Sequence, residues 1–310
     1  MSTIPILNWR RFRQEEDRAG FVADLGQACR GTGFFLLTGH GIADALTEEV
    51  FARSAAFFAL PAADKTPLSI RTNPHNRGWA MMGSERLDER SGQIDRKEAF
   101  NIGLEMRADD PRLLRGEPFR GVNLWPDLEG FRSTMLDYFD AVWRLGTGLM
   151  RAVASDLKLH PQFFDLDFDA PMATLRLLHY PAASGDRAEI GAGAHTDYGA
   201  LTLLATDGTA GLQVRGKGGD WLDVPHVPGA LVVNIGDCLM RWTNDIYAST
   251  PHRVLPPPRP RQSVAFFLDP NPDSMIAALP GTGSPRYAPI LAADYLRSWL
   301  DATYRPEGKA

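Results

Sequence analysis

Ile190-Gly191-Ala192-Gly193-Ala194-His195-Thr196-Asp197-Tyr198-Gly199-Ala200-Leu201-Thr202-Leu203-Leu204 is the stretch on which this 310-residue chain turns. At its centre stands His195-Thr196-Asp197, and no other histidine in the chain is followed two places on by Asp or Glu. On an extended strand, side chains at i and i+2 point to one side, so this imidazole and carboxylate can reach a single metal ion. A third donor must then come from a neighbouring strand, several tens of residues away. His252, in Ser249-Thr250-Pro251-His252-Arg253, lies fifty-five residues beyond Asp197 and meets that need. Two imidazoles and one carboxylate are the donors of a facial triad that holds a non-haem Fe(II) and leaves other positions open for oxygen chemistry.

A second constellation follows nine residues after His252. Arg261-Gln262-Ser263, the only Arg-x-Ser of the chain, leads into the apolar run Val264-Ala265-Phe266-Phe267-Leu268. Arg261 and Ser263 share one face of that expected strand, setting a forked cation beside a hydroxyl. The pair suits a bidentate grip on a small carboxylate. A lone Arg at a strand start is ordinarily just solvated. Its place directly after the third metal donor favours the binding role.

These segments resemble the metal-binding region of Fe(II)/2-oxoglutarate-dependent dioxygenases of the isopenicillin N synthase-like family. Ile190–Leu204, Val233-Asn234-Ile235-Gly236-Asp237, His252-Arg253-Val254 and Arg261-Gln262-Ser263 all take part, in the family's order. Ile4-Pro5-Ile6-Leu7 resembles the family's opening strand, Gly33-Phe34-Phe35-Leu36-Leu37-Thr38-Gly39-His40-Gly41-Ile42 its second landmark, and Lys97-Glu98-Ala99-Phe100 a third. The resemblance runs from about residue 4 to about residue 305. It implies a mainly β fold, a double-stranded β-helix (jelly roll) with helices packed outside. It also implies Fe(II), 2-oxoglutarate and dioxygen as cofactor and cosubstrates, with the distal carboxylate of 2-oxoglutarate on Arg261 and Ser263. Tyr180, in Leu178-His179-Tyr180-Pro181, matches a family tyrosine that bonds the same carboxylate. Plant relatives commonly carry Asn two places before that tyrosine; here the position is Leu178, which removes an amide contact. Oxidative decarboxylation to succinate would be coupled to removal of hydrogen from a small-molecule substrate.

Composition bounds the alternatives. At 44% hydrophobic and 23% charged the chain falls in the ordinary globular range. A net charge of -5, with Lys and Arg dispersed, offers no field for nucleic acid. Two cysteines, Cys29 and Cys238, are too few for a disulfide framework and point to a reducing compartment. No apolar run is long enough to cross a bilayer, and Ile4 to Leu7 is too short for a signal peptide. The expectation is a cytoplasmic enzyme with no membrane and no nucleic-acid partner. Neither the oligomeric state nor the particular substrate is fixed by these features.

Helical spacing runs from Arg13 to Arg30 and from Ala43 to Phe58, with a longer helix expected across Gly130 to Leu157. Phe34 to Thr38 reads as a buried strand. The Gly- and Asn-rich text from Thr66 to Gly92 reads as loops. Beyond Asp165 come short strands: Ala173 to Tyr180, Leu201 to Thr206, Leu212 to Arg215, Ala230 to Ile235 and Ser263 to Leu268. We read a single catalytic domain over 1–310: a mostly helical part (1–165), the jelly-roll core with the metal site (166–280) and a C-terminal helix (281–310), expected between Tyr287 and Tyr304.

Several residues near the site carry weaker expectations. Tyr198 and Phe267 are candidates to line the substrate pocket, with simple core packing as the alternative; Trp79 and Arg77 are weaker ones. Asn234 and Asp237 are read as fixing the turn that leads toward His252. His179 should turn away from Tyr180's side, His40 should be structural, and His226 belongs to a turn. Two other functions stay open: an iron oxidase of the same fold that does not use 2-oxoglutarate, like isopenicillin N synthase or the ethylene-forming aminocyclopropane oxidase, and a non-catalytic binding protein that has lost its iron. The C-terminal helix, with Tyr295, Leu296 and Trp299, is expected to cover the barrel mouth or simply to pack there.

Overall fold

The computed structural model describes residues 4–14, 17–88, 94–185 and 189–303, the side chains of 301–303 excepted. Its centre is an eight-stranded sheet facing a four-stranded one, the jelly roll that the resemblance implies. The large sheet runs Ile6–Asn8, Phe34–Thr38, Leu231–Ile235, Leu201–Thr206, Arg261–Leu268, Thr174–Tyr180, Glu98–Gly103, Gly78–Ala80. The small sheet runs Trp221–Asp223, Leu212–Arg215, His252–Val254, Ala192–His195, antiparallel throughout. The core strands fall where the apolar runs place them, within one or two residues.

Strand alternation in the Arg261–Leu268 strand divides its side chains between two environments. Val264, Phe266 and Leu268 point outward and are fully buried in the main apolar core. Arg261, Ser263, Ala265, Phe267 and then Asp269 face the space between the sheets. The outward set packs on the Phe131–Asp156 helix, whose buried residues Met135, Phe139, Val142, Leu145, Leu149 and Val153 recur every three or four positions. Phe139 meets Phe266 edge to face at 5.1 Å. Gly146 is where helix and sheet come closest, since a Cβ there would lie 2.9 Å from Leu268 Cδ2. Truncating Phe266 to Ala would leave a cavity in this layer at a cost of about 3–5 kcal/mol.

The structure departs from the sequence reading in the N-terminal part. Four of the eight strands of the large sheet come from before residue 104, so this part extends the barrel wall as well as carrying helices. The stretch read as loops contains the turns Thr66–Leu68 and Ile70–Thr72 and the edge strand Gly78–Ala80, with residues 89–92 outside the described ones. Short strands at a sheet edge borrow their hydrogen bonds from a partner distant in sequence, so local composition does not announce them. The helix expected over Arg13 to Arg30 is two helices, Arg10–Arg13 and Arg18–Gly31, with residues 15–16 between them outside the described ones. The C-terminal helix spans Ala292–Thr303, and Tyr304 onward lies outside the described residues. No described helix is long and apolar enough to cross a membrane.

Candidate active site

His195 closes the Ala192–His195 strand, and His252 opens the adjacent strand as its direct cross-strand partner. That register holds the two rings 4.3 Å apart at 52°. Asp197 is not on the strand, as i, i+2 spacing would have it, but on the turn just after it. It still converges: Asp197 Oδ1 lies 3.8 Å from His195 Nε2 and 3.6 Å from His252 Nε2. One donor atom from each residue falls within 4.8 Å of the others. Two glycines allow the turn to sit there. A Cβ on Gly236 would come within 2.2 Å of Gly199 O, so only a bare backbone lets the Asp197 turn press against the end of the Leu231–Ile235 strand.

Each donor is oriented through its other polar atom. His195 Nδ1 lies 2.7 Å from Gly193 O and His252 Nδ1 3.2 Å from Thr250 O. A carbonyl only accepts, so both Nδ1 atoms carry a proton, and in the neutral ring this tautomer turns a free Nε2 lone pair toward the other donors. Asp197 Oδ2 accepts from Thr202 Oγ1 at 2.6 Å and from Asn234 Nδ2 at 2.7 Å, which leaves Oδ1 for the metal side. Asn234 thus acts from within its strand on the candidate donor Asp197 itself. Asp237 starts the Asp237–Trp242 helix and accepts from Thr196 Oγ1 at 2.8 Å, bracing the same turn. Burial, reinforced by His252, pushes the His195 imidazole down to about 4, so it is neutral at ordinary pH. For Asp197, burial pushes upward, but the two imidazoles and the bonds from Thr202 and Asn234 outweigh it and hold the carboxyl below its usual range. Neutral imidazoles and an ionised carboxylate are the protonation states that bind a divalent cation.

Across the space between the sheets lies the expected anion grip. Arg261 is buried, pairs in register with Tyr180, and stands with its guanidinium 4.9 Å from the centre of that ring. It donates through Nη1 to Ser263 Oγ at 3.3 Å and through Nε to Thr209 O at 3.3 Å. Arg261 Nη2 has no hydrogen-bond partner among the described residues. A fixed guanidinium with donors to spare, beside a hydroxyl, matches a carboxylate oxygen pair.

Triad and grip open into one cavity of about 180 Å³. Tyr198 and Phe267 both line it, while Trp79 and Arg77 do not. Trp79 Nε1 donates to Glu98 Oε2 at 2.8 Å, and Arg77 Nη1 to His75 O at 3.0 Å, so both belong to the packing of the N-terminal strands. His179 faces Glu98 at 3.1 Å and His40 faces Gly229 O at 2.8 Å, away from the metal donors. The C-terminal helix closes one side: Leu296 and Leu300 line the cavity, and Trp299 stacks on Tyr198 at 5.2 Å with rings 9° from parallel.

The sequence reading missed other residues of the wall. Arg176 lines the cavity and donates to Glu85 Oε2 at 2.6 Å. Glu85 in turn lies 3.5 Å from Lys97 Nζ, which holds Asp95 at 2.7 Å; Asp95 accepts from Gly193 N at 2.9 Å. This buried chain of charges ties the wall to the strand that carries His195. Asp269 also lines the cavity, and burial, with Asp197 adding to it, pushes its carboxyl up to about 7. Counting by twos from Arg261 along the strand would have reached it.

Comparison with known proteins agrees with this geometry. Residues 4–128 match the family of the non-haem dioxygenase in morphine synthesis N-terminal region, and residues 171–270 match the 2OG-Fe(II) oxygenase superfamily. The chain is 37% identical to the 2-oxoglutarate-Fe(II) type oxidoreductase hxnY of Emericella nidulans, over 97% of this chain and 90% of that one. It is 38% identical to a 2-oxoglutarate-dependent dioxygenase of Didymella fabae, over 91% and 89%. Among solved structures it is similar to a full-length Neurospora crassa protein crystallised in complex with alpha-KG and thymine. There the TM-score is 0.85 and the identity 34%, with 96% of each chain covered.

Proposed function

This chain belongs to the 2OG-Fe(II) oxygenase superfamily, in its isopenicillin N synthase-like branch, and on that premise we propose which of its residues do the work. His195, Asp197 and His252 hold the ferrous ion, and Arg261, Ser263 and Tyr180 receive the distal carboxylate of 2-oxoglutarate. The protein is an Fe(II)/2-oxoglutarate-dependent dioxygenase that couples oxidative decarboxylation of 2-oxoglutarate to oxidation of a small metabolite. The single observation that carries the residue assignment is the division of labour at each donor. One atom of each is pinned by the protein, and the other is free and converges with its neighbours.

When bound, the iron supplies dioxygen activation; the protein supplies position. Gly193 O and Thr250 O fix the imidazole tautomers, and Thr202 with Asn234 stops Asp197 from turning its second oxygen to the metal. Arg261, nearly inaccessible to solvent, fixes one end of the cosubstrate, so its reactive end has a restricted reach toward the triad. The apolar wall of Phe34, Leu178, Leu204 and Val254 keeps bulk water from the reacting atoms. Tyr198 and Phe267 flank the substrate, whose oxidation is a hydroxylation, desaturation or related step. Similarity to a protein crystallised with thymine favours a compact ring compound. The two cysteines, buried and unbridged, support a reducing, cytoplasmic setting, and one catalytic unit spans the chain.

Purified protein should bind one equivalent of Fe(II) under anaerobic conditions and release succinate from 2-oxoglutarate, one per substrate oxidised. Oxidation of substrate without succinate would identify a 2-oxoglutarate-independent oxidase. Failure to bind any divalent metal would identify a binding protein, a reading against which the intact triad stands.

A further inference from the structure

Asp269 is a cavity-lining carboxyl to which the mechanism gives no task. Its side chain is buried, lies against Gly199 (a Cβ there would sit 2.9 Å from Oδ1), and has no hydrogen-bond partner among the described residues. The other two carboxyls of the wall are occupied: Asp197 by Thr202 and Asn234, Glu85 by Arg176. A buried carboxyl left without a partner costs free energy, and folded proteins rarely keep one without a use. Cosubstrate cannot be that use. Asp269 lies eight residues from Arg261 on the same face, roughly 25 Å along the strand, well beyond the length of a five-carbon diacid.

Charge narrows the ligand further. The cavity wall carries three carboxyl groups (Glu85, Asp197, Asp269) and two guanidinium groups (Arg176, Arg261). Arg176 is balanced by Glu85, Arg261 by Asp197, and the cosubstrate's two negative charges by the two positive charges of the ferrous ion, so one negative charge is left, that of ionised Asp269. An anionic substrate would meet net repulsion, whereas a donor group would satisfy Asp269. Two places before it, Phe267 offers a flat apolar surface on the same face, and Tyr198 offers another.

We propose that Asp269 anchors the primary substrate by accepting a hydrogen bond from an N–H or O–H group of a compact, uncharged or cationic ring compound. This rests on the oxygenase reading of the site, and the two are tested separately in one experiment. Wild-type protein is loaded anaerobically with Fe(II) and 2-oxoglutarate, and the metal-to-cosubstrate charge-transfer absorption is recorded. Probes are then added in matched pairs: thymine with 1,3-dimethylthymine, and resorcinol with 1,3-dimethoxybenzene. If the absorption never develops, the oxygenase reading is wrong. If it develops, at least one donor-bearing probe should perturb it, with the methylated partner about 10-fold weaker or more. Asp269→Leu should abolish that preference, and Asp269→Asn, which keeps an acceptor oxygen, should restore part of it. Equal response to both members of each pair, a preference that survives Asp269→Leu, or no response to any donor-bearing probe would overturn the proposal. Thermal unfolding separates anchoring from scaffolding: Asp269→Leu should melt at or above the wild-type temperature, and a fall of several degrees would give Asp269 a structural role instead.

Discussion

The two ends of the inward face of the Arg261–Leu268 strand are built on different principles. At one end Arg261 is buried, packed over Tyr180 and tied to Ser263 and Thr209 before any ligand arrives. At the other, Phe267 and Asp269 line the same cavity, and the Asp269 carboxyl has no protein hydrogen bond among the described residues. Under the proposed assignment, the first end is a pre-formed receptor for the cosubstrate common to the superfamily. The second is unfinished without a ligand, as expected where one enzyme must differ from its relatives. Pre-formed geometry lowers the cost of binding the constant partner, while an unsatisfied group is a way of demanding one feature of the variable partner.

The heaviest blow to this picture would fall on the metal, which both ends serve. Asp197→Ala or His195→Ala should reduce turnover to the metal-free background while circular dichroism stays that of folded protein; wild-type activity in either would refute the ligand assignment. Next in size is the finished end. Arg261→Leu should raise the KM for 2-oxoglutarate about 10- to 100-fold, since charge-assisted bonds are worth roughly 1.5–3 kcal/mol. An unchanged cosubstrate dependence would move the carboxylate elsewhere. Asn234→Ala should weaken Fe(II) affinity by roughly 10-fold or more, measured by competition with a chelator, because it removes one of the two bonds that orient Asp197 Oδ2.

Smaller effects sharpen the unfinished end. Trp299→Ala removes a stacked pair worth about 0.5–1.5 kcal/mol, so the C-terminal helix should become more susceptible to limited proteolysis with little change in the global unfolding temperature. The pH response of Asp269 should be smaller still and has a definite sign. Its folded carboxyl titrates near 7, against 3.8 for the ordinary group. Folded protein therefore retains a proton through that window which unfolded chain releases, and stability falls as pH rises from about 4 to about 7. In the metal-free protein, Asp269→Asn should remove that component, so the gap between variant and wild type should grow toward pH 7. A gap constant with pH would mean that the carboxyl is not held in a dry wall.

Legibility followed the range of the causes. Phe34–Thr38, Leu201–Thr206 and Leu212–Arg215 lie where their apolar patterns place them, because burial on one or two faces writes itself into consecutive residues. The edge strand Gly78–Ala80 left no such trace, since its partner is Glu98–Gly103. In the site, His195, Asp197, His252, Arg261 and Ser263 could be singled out as candidates because metal and carboxylate chemistry require particular residue types at strand spacing. Trp79 and Arg77 were misplaced as pocket candidates because nothing local distinguishes an indole or guanidinium that faces a cavity from one that faces Glu98 or a backbone carbonyl.

By itself, then, the sequence determined the family, the core strands around the site and the candidate donors and cation proposed for iron and cosubstrate, all properties of residue type and period. Tertiary structure alone decided that Asp197 reaches the imidazoles from a turn, that Thr202 and Asn234 hold its second oxygen, and that Asp269 stands without a hydrogen-bond partner among the described residues, beside Gly199. Those facts depend on which strands lie side by side. Cross-strand neighbours are chosen by the packing of the whole barrel, so their consequences appear only once the sheets have closed.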